Sequence, residues 1–152
     1  MAAGDLTVFD EAKAYMLDGD FGSTDSVKLA LITSAVTPTA ADAVPGMHAS
    51  ATTTYTEVTA GGGYTAGGET LDTIANCVTE ASGTMTFDDT GATVVWTQNA
   101  SSPTDARYGI VYNSSDTGLE RALCFIDLGA TIDLTAGDLT VTWNASGLFT
   151  IA

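Results

Sequence analysis

The chain has 152 residues, and its four lysine and arginine side chains stand against 19 aspartates and glutamates, which gives a net charge of −15 at pH 7. Binding to nucleic acid or to an anionic membrane surface is disfavoured, because both require cations that face phosphate groups. The length fits one domain with its own hydrophobic core, and no run approaches the ~18 apolar residues that cross a membrane.

The first residues and the two cysteines indicate the compartment in which the protein is made. Residues 1–13 lack the basic region and apolar core of a secretory signal, so we expect synthesis in a reducing cytoplasm. There Cys77 and Cys124 are predicted to be buried free thiols, and a disulfide between them is the alternative that the sequence leaves open.

One helix is predicted near the N-terminus, over residues 7–18. The motif Thr7-Val-Phe-Asp10 matches a capping box, in which the Thr7 hydroxyl accepts from a backbone N–H and the Asp10 carboxylate bonds back. Gly19 is predicted to end the helix. An apolar stripe with helical spacing predicts that one face packs on a sheet; it comprises Val8, Ala12, Tyr15 and Met16.

The first strand is predicted at residues 27–32, and a long segment rich in Ala, Thr and Pro follows it. Residues 33–54 show no periodicity, and an ordered loop of this length is usually functional or lies along a surface. A short edge strand is predicted at residues 55–58. The glycine-rich residues 61–68 lack the Lys-Ser/Thr ending of a phosphate-binding loop and are interpreted as a wide turn.

The rest of the chain alternates short apolar runs with turn residues, which is typical of β structure. Residues 139–143 alternate strictly, with Leu139, Val141 and Trp143 on one face, whereas residues 121–128 are apolar on both faces, which predicts a central strand. Residues 88–91 (DDTG) are interpreted as a tight hairpin turn and not as a calcium loop. Further strands are predicted at residues 71–80, 83–87, 92–97, 108–112 and 148–151.

These elements predict a single domain over residues 1–152 that is mainly β, either an antiparallel β-sandwich or a jelly-roll-like barrel with one short N-terminal helix. The N-terminal arm and helix occupy residues 1–20, and the long loop occupies residues 33–54. The hexapeptide AGDLTV occurs at residues 3–8 and again at residues 136–141. Because the flanking residues differ, we expect the two copies to adopt different structures.

No catalytic motif emerges from the sequence. His48 is the only histidine, neither a nucleophile elbow nor a Cys-x-x-Cys motif occurs, and most acidic residues fall in turns. A glycosidase would need two carboxylates that face each other across a cleft, and the aromatic residues that line such clefts are few. We therefore expect that the protein is not an enzyme and has no cofactor and no metal site.

Several segments carry a resemblance to known proteins. VKLALI at residues 27–32 follows the N-terminal helix, YTAGG at 64–68 precedes GTMTF at 83–87, and Trp96 is followed by NAS at 99–101. FIDLG at 125–129 then precedes AGDLT at 136–140 and WN at 143–144. In these segments the chain resembles short structural proteins of bacteriophage virions, especially of marine tailed phages, and it is most similar to capsid decoration (cement) proteins.

The resemblance implies a component of the capsid exterior that is made in the host bacterial cytoplasm and binds the major capsid protein of a phage as a homotrimer. It supplies no active-site residues. A phage tail or fibre component with a host-binding β domain is the alternative. Capsid or subunit contacts are expected from the N-terminal segment, the long loop and the C-terminal end, and the candidates are Leu6, Val8, Pro38, Pro45, Met47, Tyr55, Leu148, Phe149 and Ile151.

Overall fold

The computed structural model describes residues 4–82, 84–88, 93–144 and 146–151, and at Leu17, Ile74, Ala75 and Ile151 it describes the backbone alone. This part of the chain is mainly β with antiparallel sheets, so the predicted fold class, an antiparallel β-sandwich with a short N-terminal helix, is confirmed. The elements in chain order are β1 (Leu6–Val8), α1 (Asp10–Asp18), β2 (Ser26–Ile32), β3 (Pro45–Gly46), β4 (Thr53–Thr54), β5 (Glu69–Thr73), α2 (Ile74–Cys77), β6 (Val78–Ala81), β7 (Thr84–Phe87), β8 (Thr93–Trp96), β9 (Ala106–Asn113), β10 (Ala122–Ile132), β11 (Leu139–Thr142) and β12 (Phe149–Ile151).

The centre of the fold is a five-stranded antiparallel sheet in the order β1-β10-β9-β2-β5. The first six residues of β10 are all buried, and so are all residues of β9 except Arg107. Burial on both faces means that the sheet lies between two layers, which confirms the central position predicted for residues 121–128. β10 is longer than predicted, because its second half still pairs with β9 through Ile132 and Ala106.

Different elements cover the two faces of this sheet. Phe125 and Ile126 are neighbours in β10 and therefore point to opposite faces. Phe125 packs against Phe9, which immediately precedes α1, with ring centroids 5.2 Å apart. Ile126 points to the other side, where it lines a groove together with β11. The sheet is thus the middle layer, with the helix on one side and the remaining long strands on the other.

Five further strands, called the ribbon below, form two antiparallel sheets in the orders β11-β8 and β12-β7-β6. β8 pairs with β11, while β7 pairs with both β12 and β6. Phe87 faces Phe149 and Thr93 faces Thr142, so five residues separate these pairs on one strand and six on the other. β7 is paired on both edges and β8 pairs with β11, so the two strands do not pair with each other as the predicted hairpin requires. The turn residues 89–91 lie outside the described part of the chain.

The helix begins later than predicted. α1 starts at Asp10, and Phe9 at the N-cap position makes no side-chain capping bond. The expected cap, Thr7, lies in β1, where its backbone pairs with β10 opposite Phe125. Gly19 ends the helix as predicted, with a φ of 79°. The capping-box interpretation is wrong, because Thr7 belongs to β1 and the backbone N–H groups of Phe9 and Asp10 donate to the carbonyls of Leu123 and Ala40 instead.

Two strands predicted in the middle of the chain differ in the structure. Residues 55–58 form no strand and join the end of β2 through an isolated bridge between Ile32 and Glu57. Residues 71–80 are split by the helical turn α2, so β5 pairs with β2 whereas β6 pairs with β7. Residues 61–68 form a wide turn, as predicted, and three of its glycines have a positive φ: Gly62, Gly67 and Gly68.

The core joins all three layers, and its largest fully buried aromatic side chains are Trp96, Phe9, Phe87 and Phe125. Cys77 and Cys124 are both buried and are not joined by a disulfide, as predicted, and burial raises the pKa of the Cys124 thiol. The two copies of AGDLTV both contribute edge strands, β1 and β11, so the expectation that they adopt different structures is wrong.

Candidate functional site

An open groove of about 610 Å³ lies between the central sheet and the ribbon, next to β11. The central sheet supplies one wall through β1 and β10, and β11 with the residues that follow it supplies the other. The apolar side chains that line the two walls are those of Leu6, Ile126, Leu128, Leu139, Val141 and Trp143.

The central sheet lines the groove with one of its faces, whereas β11 lines the groove with its edge. Ile126 and Leu128 alternate along β10, so they belong to one face of the central sheet. By contrast, every residue from 139 to 144 lines the groove. Because successive side chains of a strand point in opposite directions, an unbroken run of lining residues means that β11 presents its edge. In the described chain β11 pairs with β8 alone, so this edge has no strand partner there.

The groove is uncharged although the protein is strongly acidic. Among the described residues that line it there is no Asp, Glu, Lys, Arg or His side chain, whereas the chain carries a net charge of −15. Exposed carboxylates border it in sequence: Asp5 lies between Gly4 and Leu6, and Asp138 precedes Leu139. Asp138 also accepts a hydrogen bond from the N–H of Gln98 at 2.6 Å. The groove is thus an uncharged surface of apolar and neutral polar groups, next to acidic residues in the sequence.

The long loop, residues 33–54, lies on the protein's own surface. The N–H of Asp10 donates to the carbonyl of Ala40 at 2.9 Å, and the N–H of Val44 donates to the Glu11 carboxylate at 2.9 Å. On its other side the N–H of Met47 donates to the carbonyl of Glu120 at 3.1 Å. Within the loop, β3 and β4 form a short parallel pair. These bonds order the loop without a partner protein.

Arg121 joins the helix to the turn before β10. Its guanidinium pairs with the carboxylates of Asp116 at 2.6 Å and Asp20 at 3.4 Å, and it lies 5.1 Å from the ring centroid of Tyr15. Burial and a hydrogen bond to the Glu11 carboxylate raise the pKa of Tyr15. The cluster holds the helix against the sheet and places the charge of Arg121 among acidic groups of the same chain.

The other cations are also committed to the protein's own structure. Lys13 pairs with Asp10, and Arg107 pairs with Asp127. Lys28 is half-buried within β2, which lies between β9 and β5 in the central sheet. The surface that the described chain offers to a partner is therefore strongly anionic, and a charged partner must present cations to it.

Asp127 anchors the N-terminal strand at the groove. Its carboxylate pairs with Arg107 and accepts a hydrogen bond from the N–H of Gly129 at 2.7 Å, while its carbonyl accepts one from the N–H of Gly4 at 2.7 Å. The bond from Arg107, followed by that from Gly129, holds the pKa of Asp127 below its usual range.

We expect Asp127→Asn to lower the free energy of unfolding at pH 7 by about 1 kcal/mol, since the side chains of Arg107 and Asp127 keep 20% and 12% of their surface and solvent still screens the pair in part. The folded-state pKa of Asp127 is depressed, so its contribution exists above the unfolded value of about 4 and is lost as the pH falls through the folded value. Urea unfolding from pH 7 to pH 2 should therefore show a difference between the two proteins that shrinks below about pH 4. A difference that stays constant with pH would contradict this electrostatic role.

Three of the sequence-predicted contact residues are buried within the chain. Pro38 and Pro45 in the long loop are buried, and Tyr55 is 2% exposed. The Tyr55 hydroxyl donates to the Asp42 carboxylate at 2.7 Å, so its polar end is also satisfied internally. These side chains expose little surface, and their role as contact residues stays a prediction.

The other contact candidates keep part of their surface and remain predictions. Leu6 and Leu148 line the groove. Phe149 stacks on Phe87 with ring centroids 5.0 Å apart, and the side chain of Ile151 lies outside the described part of the structure. Val8 and Met47 are half-buried and lie outside the groove lining.

The main wall of the groove could not be predicted from the sequence pattern. The alternation of Leu139, Val141 and Trp143 predicts a half-buried face and thereby assigns these residues to the core. In the structure they are half-buried, with their remaining surface open to the groove. A period of two identifies the apolar face of a strand, but it contains no information on how completely another element covers that face.

The groups considered for chemistry lie in different elements of the described chain, with Cys77 in α2 and Cys124 in β10. His48 lies in the long loop, and its Nδ1 accepts a hydrogen bond from the N–H of Ser50 at 3.1 Å. Across the described ranges, no cluster of three or more His, Cys, Asp or Glu side chains could hold a metal ion. None of the helices in those ranges is long and apolar enough to span a membrane.

The fold and the groove define the class of this protein as a mainly β antiparallel sandwich with an acidic surface and an uncharged, open-edged cleft. Comparisons of the chain with protein-family models, with curated proteins and with solved structures found no match.

Proposed function

We propose that the protein is a virion structural protein that decorates the outside of a phage capsid and stabilises it by binding across subunits of the major capsid protein. The observation that carries the proposal is an uncharged groove, lined by both apolar and polar groups, in a protein that carries a net charge of −15. Such a surface suits contact with another protein better than contact with packaged DNA. The resemblance of residues 125–129, 136–140 and 143–144 to phage decoration proteins supports the same assignment.

The mechanism is physical and requires no catalytic residue. A protein that binds the assembled lattice, but not its dissociated subunits, stabilises the shell by mass action. A homotrimer placed over the junction of several capsid subunits binds them simultaneously, and the high effective concentration of the second and third contacts makes weak individual contacts strong. An acidic protein is suited to the exterior, away from the DNA.

The test compares purified empty capsids with dissociated capsid protein. We expect the protein to co-sediment with capsids to saturation, to leave the dissociated subunits unbound and to raise the temperature at which the shell disassembles. In purified virions, gel densitometry should find hundreds of copies per particle, and particles without the protein should adsorb normally to host cells.

A tail or fibre component is the second candidate, and the same measurements separate it from a decoration protein. It predicts a few copies per particle, no binding to tailless capsids and loss of adsorption when the protein is absent. Equal binding to capsids and to dissociated subunits would reject the mass-action mechanism.

A further inference from the structure

We propose that the groove accepts an extended segment of a partner protein, which pairs as an additional strand with the open edge of β11. The segment carries alternating apolar side chains and has lysine or arginine near its ends. This inference goes beyond the capsid role and does not depend on it, because it concerns the chemistry of the bound segment and not the particle from which the segment comes.

The backbone of β11 is the first feature that supports the addition of a strand. This strand pairs with β8 on one side, and its other edge lines the groove over residues 139–142. An unpaired edge presents a row of N–H and C=O groups that can bond to another strand. Four residues offer about 13 Å of edge, which is enough to order a short peptide strand. Strand addition of this kind gives affinity through the main chain and specificity through alternate side chains.

The apolar wall opposite that edge is the second feature, and it supports apolar side chains in the added strand. A strand added beside β11 would extend the ribbon layer over the central sheet, and every second side chain would point to that sheet. There it would meet Leu6 of β1 together with Ile126 and Leu128 of β10. Apolar side chains at alternate positions of the segment would bury this surface, and small polar residues would suit the outward positions.

Charge indicates that the occupant of the groove is a different protein and not a second copy of this chain. Asp5 and Asp138 border the groove, and the whole chain carries a charge of −15. Two such chains repel each other. The described part of this chain cannot supply a cationic strand either, because Lys13, Arg107 and Arg121 are paired internally and Lys28 is half-buried in the central sheet. The occupant is therefore a partner segment with cationic ends.

The experiment uses the intact protein and three fluorescein-labelled peptides: KTVTVTVTK, the proline variant KTVTPTVTK and the acidic variant ETVTVTVTE. We expect the first to bind with a micromolar Kd by fluorescence anisotropy. The proline variant should bind at least about 10-fold more weakly, because proline removes a donor and disrupts strand pairing. The acidic variant should bind at least about 10-fold more weakly at low salt, and this difference should shrink at high salt.

Protein variants localise the binding. Trp143→Ala removes an apolar wall of the groove, and Thr142→Lys places a cation on its exposed edge, where lysine opposes strand addition. Each is expected to weaken binding of KTVTVTVTK at least about 5-fold. The matched control is Val95→Ala, since Val95 is 49% exposed on the neighbouring strand β8 and is absent from the groove lining; its Kd should stay within about twofold. Circular dichroism checks that each variant is folded.

Amide hydrogen exchange supplies a readout that nonspecific charge attraction would not change. Bound KTVTVTVTK should slow exchange within residues 139–142, because strand pairing protects edge amides. No binding at millimolar peptide, equal binding of the proline variant, or equal weakening by Val95→Ala would overturn the proposal. It would also be overturned if the protein alone self-associated with these amides already protected, since a second copy would then occupy the groove.

Discussion

Phe125→Ala should lower the free energy of unfolding by about 3–5 kcal/mol, as expected when a large aromatic side chain is removed from a packed core. Phe125 is 0% exposed and lies in β10, one strand from the middle of the central sheet. Its ring packs on Phe9, which in turn stacks on Tyr55 at 5.9 Å. The substitution therefore opens a cavity where the sheet, the start of the helix and the end of the long loop meet. Equilibrium urea unfolding measures the loss.

The control for this variant is an apolar residue outside the core. Val95→Ala, at a position that is 49% exposed, should change the free energy of unfolding by less than about 1 kcal/mol. Since a domain of this size is stabilised by about 5–15 kcal/mol, Phe125→Ala consumes a large share of the total, whereas Val95→Ala does not. Losses of equal size at the two positions would show that burial against Phe9 is not what stabilises the fold.

Gly68→Ala should destabilise the protein by about 3 kcal/mol or more, because backbone strain and a steric clash act together at this position. Gly68 has a φ of +72°, and a Cβ added to it would lie 2.0 Å from the carbonyl oxygen of Leu29 and 2.6 Å from the Cα of Ala30. Both neighbours are backbone atoms of β2, inside the central sheet, so neither can rotate away. The substitution must displace the wide turn at residues 61–68 from β2 and weaken the pairing of β2 with β5.

Gly19→Ala is the matched control, since it introduces the strain without the clash. Gly19 has a φ of +79° at the end of α1, and a Cβ added there would meet nothing within 4 Å. Its alanine variant should lose about 1 kcal/mol, the cost of a left-handed conformation alone. The difference between the two variants in thermal and urea unfolding measures the steric part. A Gly68→Ala loss no larger than that of Gly19→Ala would contradict the close approach to β2.

Local sequence patterns conflict with the structure where a distant strand competes for the same residues. Thr7 and Asp10 have the spacing of a capping box, yet Thr7 pairs with Phe125 in β10. Residues 88–91 have the composition of a hairpin turn, yet the strands on either side pair with β12 and β11, near the other end of the chain. In each case the local preference is worth little, and pairing across the sandwich also buries apolar surface, so the distant partner prevails.

The repeated hexapeptide shows the same competition with a different outcome. Both copies of AGDLTV contain β-forming residues, and both end in an edge strand despite their unlike flanks. One copy pairs with β10 in the central sheet and the other with β8 in the ribbon. Residues of both copies line the same groove, which no comparison of the copies within the sequence could have indicated.

By itself, the sequence determined the β class, the central position of residues 121–128, the end of the helix at Gly19 and the two buried thiols. These follow from the local period of apolar residues, from glycine conformation and from composition, all of which act over a few neighbouring residues. Tertiary structure alone decided which strands pair, that the long loop is held by the protein's own helix, and that one edge of β11 has no strand partner among the described residues. Those features depend on contacts between residues far apart in the chain, where burial and backbone pairing outweigh any local preference.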